Sequence, residues 1–170
     1  FLGLQGLTPE LARSFVEARR KLIREMHRAG VPFLLASDAP QVFNVPGDSA
    51  LAELAIYAES GMGNAGALAT ATVNPAVYFG AEDRFGRVRE GLEADLVLLG
   101  ADPLADIAAV RRIEGVMLRG RWLDRKALDE RLEALARRVA GPDPPRARHP
   151  RRKAPTPQRP FPTTKTQSKP

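Results

Sequence analysis

A short apolar run ends abruptly at a carboxylate, and this feature constrains the fold more than any other. Residues 31–36 are Val-Pro-Phe-Leu-Leu-Ala, and Ser37 and Asp38 follow at once. A continuous apolar run bounded by turn residues predicts a strand buried on both faces, as in a parallel sheet. Catalytic groups of α/β barrels lie at the carboxyl ends of their strands. Asp38 is therefore the candidate catalytic residue.

A helix is expected before this strand. Thr8, Pro9 and Glu10 suit an N-cap, a first helical position and an acidic first turn. Apolar residues then recur at helical spacing as far as Met26, and Gly30 is a natural helix terminator. A helix, a glycine and an apolar strand form the αβ half of a βαβ unit.

Short helices are expected after a loop that follows Asp38. They begin at Asp48 or Ser49, near Asn64 and at Asn74, and the last one ends at Gly80. Ser37, Gln41 and Asn44 are candidates for lining a substrate pocket, with turn formation as their commoner role.

The second half of the chain predicts a small β unit. Its expected strands are an alternating segment over 86–91, a run over 94–99 introduced by Asp95, and the two arms of a hairpin around Gly120. Asp124 is the predicted N-cap of a final helix.

The net charge of +6 arises at the end of the chain. Residues 141–170 contain eight Lys or Arg residues against one Asp, so the rest of the chain is nearly neutral. Nine of the 15 prolines also lie there, which predicts a disordered tail. A solvated extension is favoured over contact with nucleic acid.

Several classes of site are excluded by composition. The absence of cysteine excludes a disulfide framework and thiolate metal ligands, and no apolar run reaches the ~20 residues of a membrane span. His27, near the end of the first helix, is expected to be structural, and His149 lies in the tail. A complete eight-fold barrel needs about 250 residues, so we expect the chain, which begins at Phe1, to lack an upstream part.

An ordered set of motifs carries a family resemblance. The set comprises Ser-Asp-Ala-Pro at 37–40, Asn-Pro-Ala at 74–76, Gly-x-Val-x-x-Gly-x-x-Ala-Asp-Leu-Val-Leu-Leu at 86–99, Asp-Pro-Leu-Ala-Asp-Ile at 102–107 and Val-Met-Leu-Arg-Gly-Arg-Trp at 116–122. In this order the motifs resemble the C-terminal part of the metal-dependent amidohydrolase superfamily. The similarity is greatest to its imidazolonepropionase-like and prolidase-like members.

The resemblance implies an α/β fold built from the C-terminal portion of a (β/α)8 TIM-type barrel. Residues 1–80 would supply helix 7, strand 8 and the following helices. Residues 81–140 would supply the C-terminal strands of a small β-sandwich and the final helix, and residues 141–170 the disordered, basic, proline-rich tail.

The resemblance also implies an activity and a role for Asp38. Asp38 matches the aspartate that ends strand 8, contacts the metal and shuttles a proton between the metal-bound water and the leaving amine. The expected enzyme is a metal-dependent hydrolase of C–N bonds other than peptide bonds, in small amides, cyclic amides or dipeptide-like substrates. The cofactor would be a divalent metal, zinc by preference, and the other ligands would come from the upstream part.

An alternative is a catalytically incomplete remnant or interaction module, because the chain has only two histidines. A small-molecule substrate is the expected partner, a homo-oligomer is a further option, and no membrane contact is expected. A cytoplasmic location is the slight preference.

Overall fold

The computed structural model of the chain describes residues 8–140. Its helices are α1 (Pro9–Arg28), α2 (Asp48–Tyr57), α3 (Gly63–Ala71), α4 (Val73–Phe79) and α5 (Arg125–Ala140). Its strands are β1 (Leu96–Leu99), β2 (Ile113–Leu118) and β3 (Arg121–Asp124). The predicted tail and His149 lie outside the described residues.

Helix α1 begins as its sequence predicts. Thr8 is the N-cap, and its Oγ1 accepts a hydrogen bond of 3.2 Å from the backbone N–H of Leu11. Pro9 opens the helix, where its missing N–H has no helical partner to lose. None of the residues of α1 is buried, although Leu11 and Phe15 belong to its apolar stripe. The stripe therefore faces solvent in the described structure.

Glycines separate α2 from α3, whereas α3 and α4 meet at Thr72. Ala58–Met62 forms a π-helical turn after α2, and the turn is broken at Gly61, whose φ is 105°. Glycine adopts this left-handed conformation without the clash that a Cβ would cause. Two arginines of α1 contact the turn: Arg20 pairs with Glu59 at 2.9 Å, and Arg24 Nε donates to the carbonyl of Ser60 at 3.3 Å.

A small apolar core joins the helical and β parts of the fold. Its buried members are Leu54 of α2, Ala67 of α3 and Val110. Val110 belongs to a short 3₁₀ helix, Ile107–Arg111, which the sequence did not predict. Asp106 caps that helix by accepting from the N–H of Ala108 at 2.9 Å.

The three strands form one antiparallel sheet in the order β1-β2-β3. The predicted hairpin around Gly120 is confirmed, and the predicted strand over 94–99 forms as β1. Asp95 stabilises the turn of this hairpin, because its Oδ1 accepts from the N–H of Arg119 at 2.5 Å. Asp124 caps α5 by accepting from the N–H of Ala127 at 2.8 Å.

A tryptophan lies over a glycine on one face of the sheet. Gly115 of β2 is buried, and a Cβ built on it would meet the Trp122 ring at 2.2 Å. Met117 is the direct cross-strand partner of Trp122, so the ring reaches diagonally to Gly115. Gly115 is thus required by the close approach of the indole.

The predicted buried strand over residues 31–37 is wrong for the described structure. The segment is not part of a sheet, and Val31 is 39% exposed. A strand exists only through hydrogen bonds to a neighbouring strand, and the described residues 8–140 offer this segment none. Its polar groups bond to helices and a loop instead.

The alternating segment over 86–91 also forms no strand, and its Val88 is 87% exposed. The alternating residues are compatible with a strand, but the pattern does not show whether a neighbouring strand is there to pair with it. The described chain is therefore a mixed helical and β fold with one small antiparallel sheet. The barrel and sandwich assignments, and the domain boundaries at residues 80 and 140, stay predictions.

The chain divides into two compact units between Glu133 and Ala134, inside α5. Asp38, the apolar core and the sheet all belong to the first unit. Within residues 8–140, no helix is both long and apolar enough to cross a membrane.

Candidate active site

The chain reaches Asp38 through a sharp reversal at the end of α1. Gly30 has a φ of 75°, and the N–H of the next residue, Val31, bonds to the carbonyl of Met26 at 3.0 Å. Glycine suits this position because it takes positive φ without a steric penalty. The reversal sends residues 31–37 back towards α3 and α4.

Two hydrogen bonds from those helices hold the segment before Asp38. The N–H of Leu35 donates to the carbonyl of Thr70 at 2.9 Å, and Nδ2 of Asn74 donates to the carbonyl of Phe33 at 2.9 Å. The Leu35 side chain also packs against the apolar core. The backbone leading to Asp38 is therefore anchored although it forms no strand.

Asp38 itself is exposed and has a φ of 53°. This left-handed conformation is uncommon outside glycine, and aspartate is among the residues that tolerate it. A solvent-facing carboxylate on an anchored backbone can accept a proton from water or a substrate.

A tight turn follows and bonds back to the segment that carries Asp38. The turn spans Gln41 to Asn44 and is closed by the Asn44 N–H donating to the Gln41 carbonyl at 3.0 Å. Gln41 Nε2 donates to Oδ2 of Asp38, and Asn44 Nδ2 donates to the carbonyl of Ser37 at 3.0 Å. Gln41 and Asn44 thus orient the carboxylate and its backbone.

A tyrosine supports the same segment from α2. The rings of Phe33 and Tyr57 meet edge to face with centroids 5.8 Å apart. The Tyr57 hydroxyl donates to Oε1 of Glu53 at 2.5 Å. Burial raises the pKa of Tyr57 well above its ordinary value, and the hydrogen bond and charge of Glu53 raise it further. Tyr57 therefore stays protonated and acts as a packed support.

The sequence of residues 9–123 matches the model of the amidohydrolase family, and Asp38 lies within the matched range. The chain belongs to the amidohydrolase family. The match covers α1, the turn after Asp38, strands β1 and β2, and β3 as far as Leu123.

Solved structures of amidohydrolases share the fold of part of this chain. A putative prolidase from Bifidobacterium longum is 27% identical over 80% of the chain, with a TM-score of 0.60. A molinate hydrolase is 30% identical over 60% of the chain (TM-score 0.55). An amidohydrolase from Thermotoga maritima MSB8 is 30% identical over 62% of it (TM-score 0.52).

The chain spans only a part of each of these structures: 36% of the putative prolidase, 25% of the molinate hydrolase and 26% of the Thermotoga amidohydrolase. A comparison with curated proteins gave no significant match.

The described part of this amidohydrolase does not by itself fit a catalytic metal. Residues 8–140 contain no group of three or more His, Asp or Glu side chains that could hold an ion, whereas a catalytic zinc needs about three protein ligands. His27 is exposed, and its ring lies about 3.8 Å from where a Cβ on Gly66 of α3 would stand.

Sequence reasoning found Asp38 but missed most of what holds it. Gln41 and Asn44 do act as turn residues, whereas Ser37 lies outside the turn and accepts a bond through its carbonyl. The bond from Gln41 to the carboxylate was not predicted. The Asn74 bond to Phe33 spans 41 positions, and no local pattern signals a contact at that separation.

Proposed function

We propose that this chain is the Asp38-bearing part of a metal-dependent hydrolase that cleaves C–N bonds in small amides, cyclic amides or dipeptide-like substrates. The observation that carries the proposal is an exposed aspartate, held by Gln41 on an anchored backbone, inside the range that matches the amidohydrolase family. A prolidase and a molinate hydrolase among the similar structures favour small substrates with a substituted nitrogen.

The chemistry assigned to Asp38 is two proton transfers. Its carboxylate accepts a proton from the attacking water as the water oxygen bonds to the substrate carbonyl carbon. It then delivers that proton to the nitrogen of the collapsing tetrahedral intermediate, so the C–N bond breaks and an amine and a carboxylic acid leave.

A divalent metal, zinc by the family resemblance, would supply a water of lowered pKa at this point. Its remaining ligands would have to come from polypeptide beyond residues 8–140, since the described residues provide no cluster. Gln41 bonds to the Asp38 carboxylate, and Thr70, Asn74 and Asn44 hold the backbone that carries it.

The test compares Asp38→Asn with wild type in the protein expressed from its complete coding sequence. Zn²⁺ is added, and the amino group newly formed by C–N cleavage is measured with Xaa-Pro dipeptides and cyclic amides. Asn retains the shape and removes the proton acceptor, so kcat should fall by roughly 10²–10⁴-fold. Asp83→Asn, an exposed aspartate outside the turn, should keep full activity.

Two outcomes would overturn the proposal. Full activity of Asp38→Asn would show that Asp38 does not carry out the two proton transfers. A wild-type protein that hydrolyses none of these substrates, and that holds no metal by elemental analysis, would favour the alternative of a non-catalytic interaction module.

A further inference from the structure

The turn that holds Asp38 carries exposed apolar side chains. Phe43 is 94% exposed, the highest value among the large apolar residues of the described chain, and Val42 and Val45 are 65% and 58% exposed. Isolated exposed apolar residues need no explanation. The turn that carries them bonds to the candidate catalytic carboxylate, and Phe43 is the most exposed of the three.

The backbone of Phe43 is strained in a way that a structural role does not require. Its φ is 69°, and it occupies the third position of the Gln41–Asn44 turn. Glycine or asparagine is the usual residue where a turn needs positive φ. A bulky side chain there costs free energy, and such strain concentrates at ligand-binding sites.

The position of Phe43 relative to Asp38 is constrained at both ends of the turn. Gln41, two residues before Phe43, bonds to the Asp38 carboxylate, and Asn44, immediately after it, bonds to the carbonyl of Ser37. The aromatic ring is therefore carried by the same short unit that orients the proton shuttle.

We propose that Phe43 is a specificity-determining residue whose ring packs against an apolar or aromatic group of the substrate beside the scissile bond. This inference rests on the proposed hydrolase function. Its substrate class is correspondingly an amide with a bulky apolar acyl or side-chain group. Val42 and Val45 are assigned no part in it.

Two substitutions distinguish the effect of the Phe43 ring from the effect of its backbone strain. Both are made in the protein expressed from its complete coding sequence. Phe43→Ala removes the ring and keeps a Cβ at positive φ, whereas Phe43→Gly removes both. Phe79→Ala, at the end of α4, is the matched control because Phe79 is also largely exposed, at 69%. The probes are Phe-Pro against Gly-Pro and N-benzoylproline against N-acetylproline.

We expect wild type to prefer the aromatic member of each pair in kcat/KM. Both Phe43 variants should lose about tenfold of that preference through KM, and Phe79→Ala should keep it. Only Phe43→Gly should raise Tm, by a few degrees, since it alone relieves the backbone strain. Equilibrium binding of the same probes to Asp38→Asn, with and without Phe43→Ala, should show the same loss without turnover.

The outcomes distinguish this inference from the function beneath it. Activity retained by Asp38→Asn, or none in wild type, would refute the hydrolase proposal. Loss of turnover in Asp38→Asn with an unchanged aromatic preference in the Phe43 variants would refute only the role of Phe43. A lowered Tm or altered oligomeric mass in both Phe43 variants would show that the ring packs against protein, which also overturns the inference, as would failure of every probe to bind.

Discussion

The side-chain amide of Gln41 donates a hydrogen bond to Oδ2 of Asp38. The bond joins the first residue of a tight turn to the carboxylate three positions earlier, and Asp38 itself is exposed. Without this donor the carboxylate would be free to adopt other side-chain rotamers. Gln41 therefore orients the carboxylate directly, while Asn44 holds the backbone at Ser37.

Gln41→Leu should impair catalysis in the intact protein without unfolding it. Leucine has a similar size and cannot donate, so Asp38 loses its orientation and kcat should fall by about tenfold with little change in KM. Steady-state kinetics on the substrate that wild type hydrolyses best would measure this. Asn64→Ala is the control: it removes another hydrogen bond donated by a side-chain amide, to the carbonyl of Leu104, and should leave kcat unchanged. Equal losses in the two variants would contradict a specific role for Gln41.

Gly115→Ala should destabilise the sheet. The added Cβ would meet the Trp122 ring at 2.2 Å, so the ring or the strand must move, at a cost of about 1–3 kcal/mol. Urea unfolding followed by far-ultraviolet circular dichroism gives the free energy change. The same substitution in a Trp122→Ala background should cost clearly less, because the clashing ring is gone. Additive effects of the two changes would show that the indole does not require Gly115.

The stability of the fold should fall with rising pH through Tyr57. Its pKa is raised in the folded state, first by burial and then by Glu53, so the folded protein keeps the phenol proton where the unfolded chain loses it. The protonated phenol of Tyr57 therefore adds to the free energy of unfolding. This stabilisation is complete below about pH 10 and is lost as the pH rises through the folded-state pKa.

Tyr57→Phe should therefore show a flatter decline in urea midpoint above pH 10 than wild type. Phenylalanine keeps the edge-to-face contact with Phe33 and loses about 1 kcal/mol of hydrogen bonding at neutral pH. Glu53→Gln should lower the pKa of the phenol only in part, because burial is the larger cause. Titration of the phenolate absorbance near 295 nm would measure this change in the pKa of Tyr57. Identical pH profiles for wild type and Tyr57→Phe would refute the assignment.

The 170-residue chain alone should associate at high concentration. The apolar stripe of α1 faces solvent, with Leu11, Phe15 and Leu22 at 55%, 57% and 58% exposed, and large uncovered apolar surfaces promote association. Sedimentation velocity over a concentration series would detect it. Replacing the three residues by Gln should reduce association while the circular dichroism stays unchanged. A monodisperse wild-type monomer at all concentrations would contradict the prediction.

Local signals in the sequence predicted the helices and the hairpin well. Thr8 before Pro9 placed the start of α1, glycines separated α2 from α3, and Asp124 placed the start of α5. Each signal acts over three or four residues, through a cap or a backbone conformation, so it needs no tertiary context. Strand predictions were less secure, because Val31 and Val88 have suitable sequence around them but no partner strand among the described residues.

The sequence by itself determined that Asp38 ends an apolar segment, and the order of its motifs indicated the amidohydrolase family. Only the tertiary structure decided how that carboxylate is held. Asn74 reaches Phe33 across 41 positions, and Trp122 covers Gly115 from a neighbouring strand. Caps, turns and helix ends depend on neighbours along the chain, whereas these contacts form only when packing brings distant residues together.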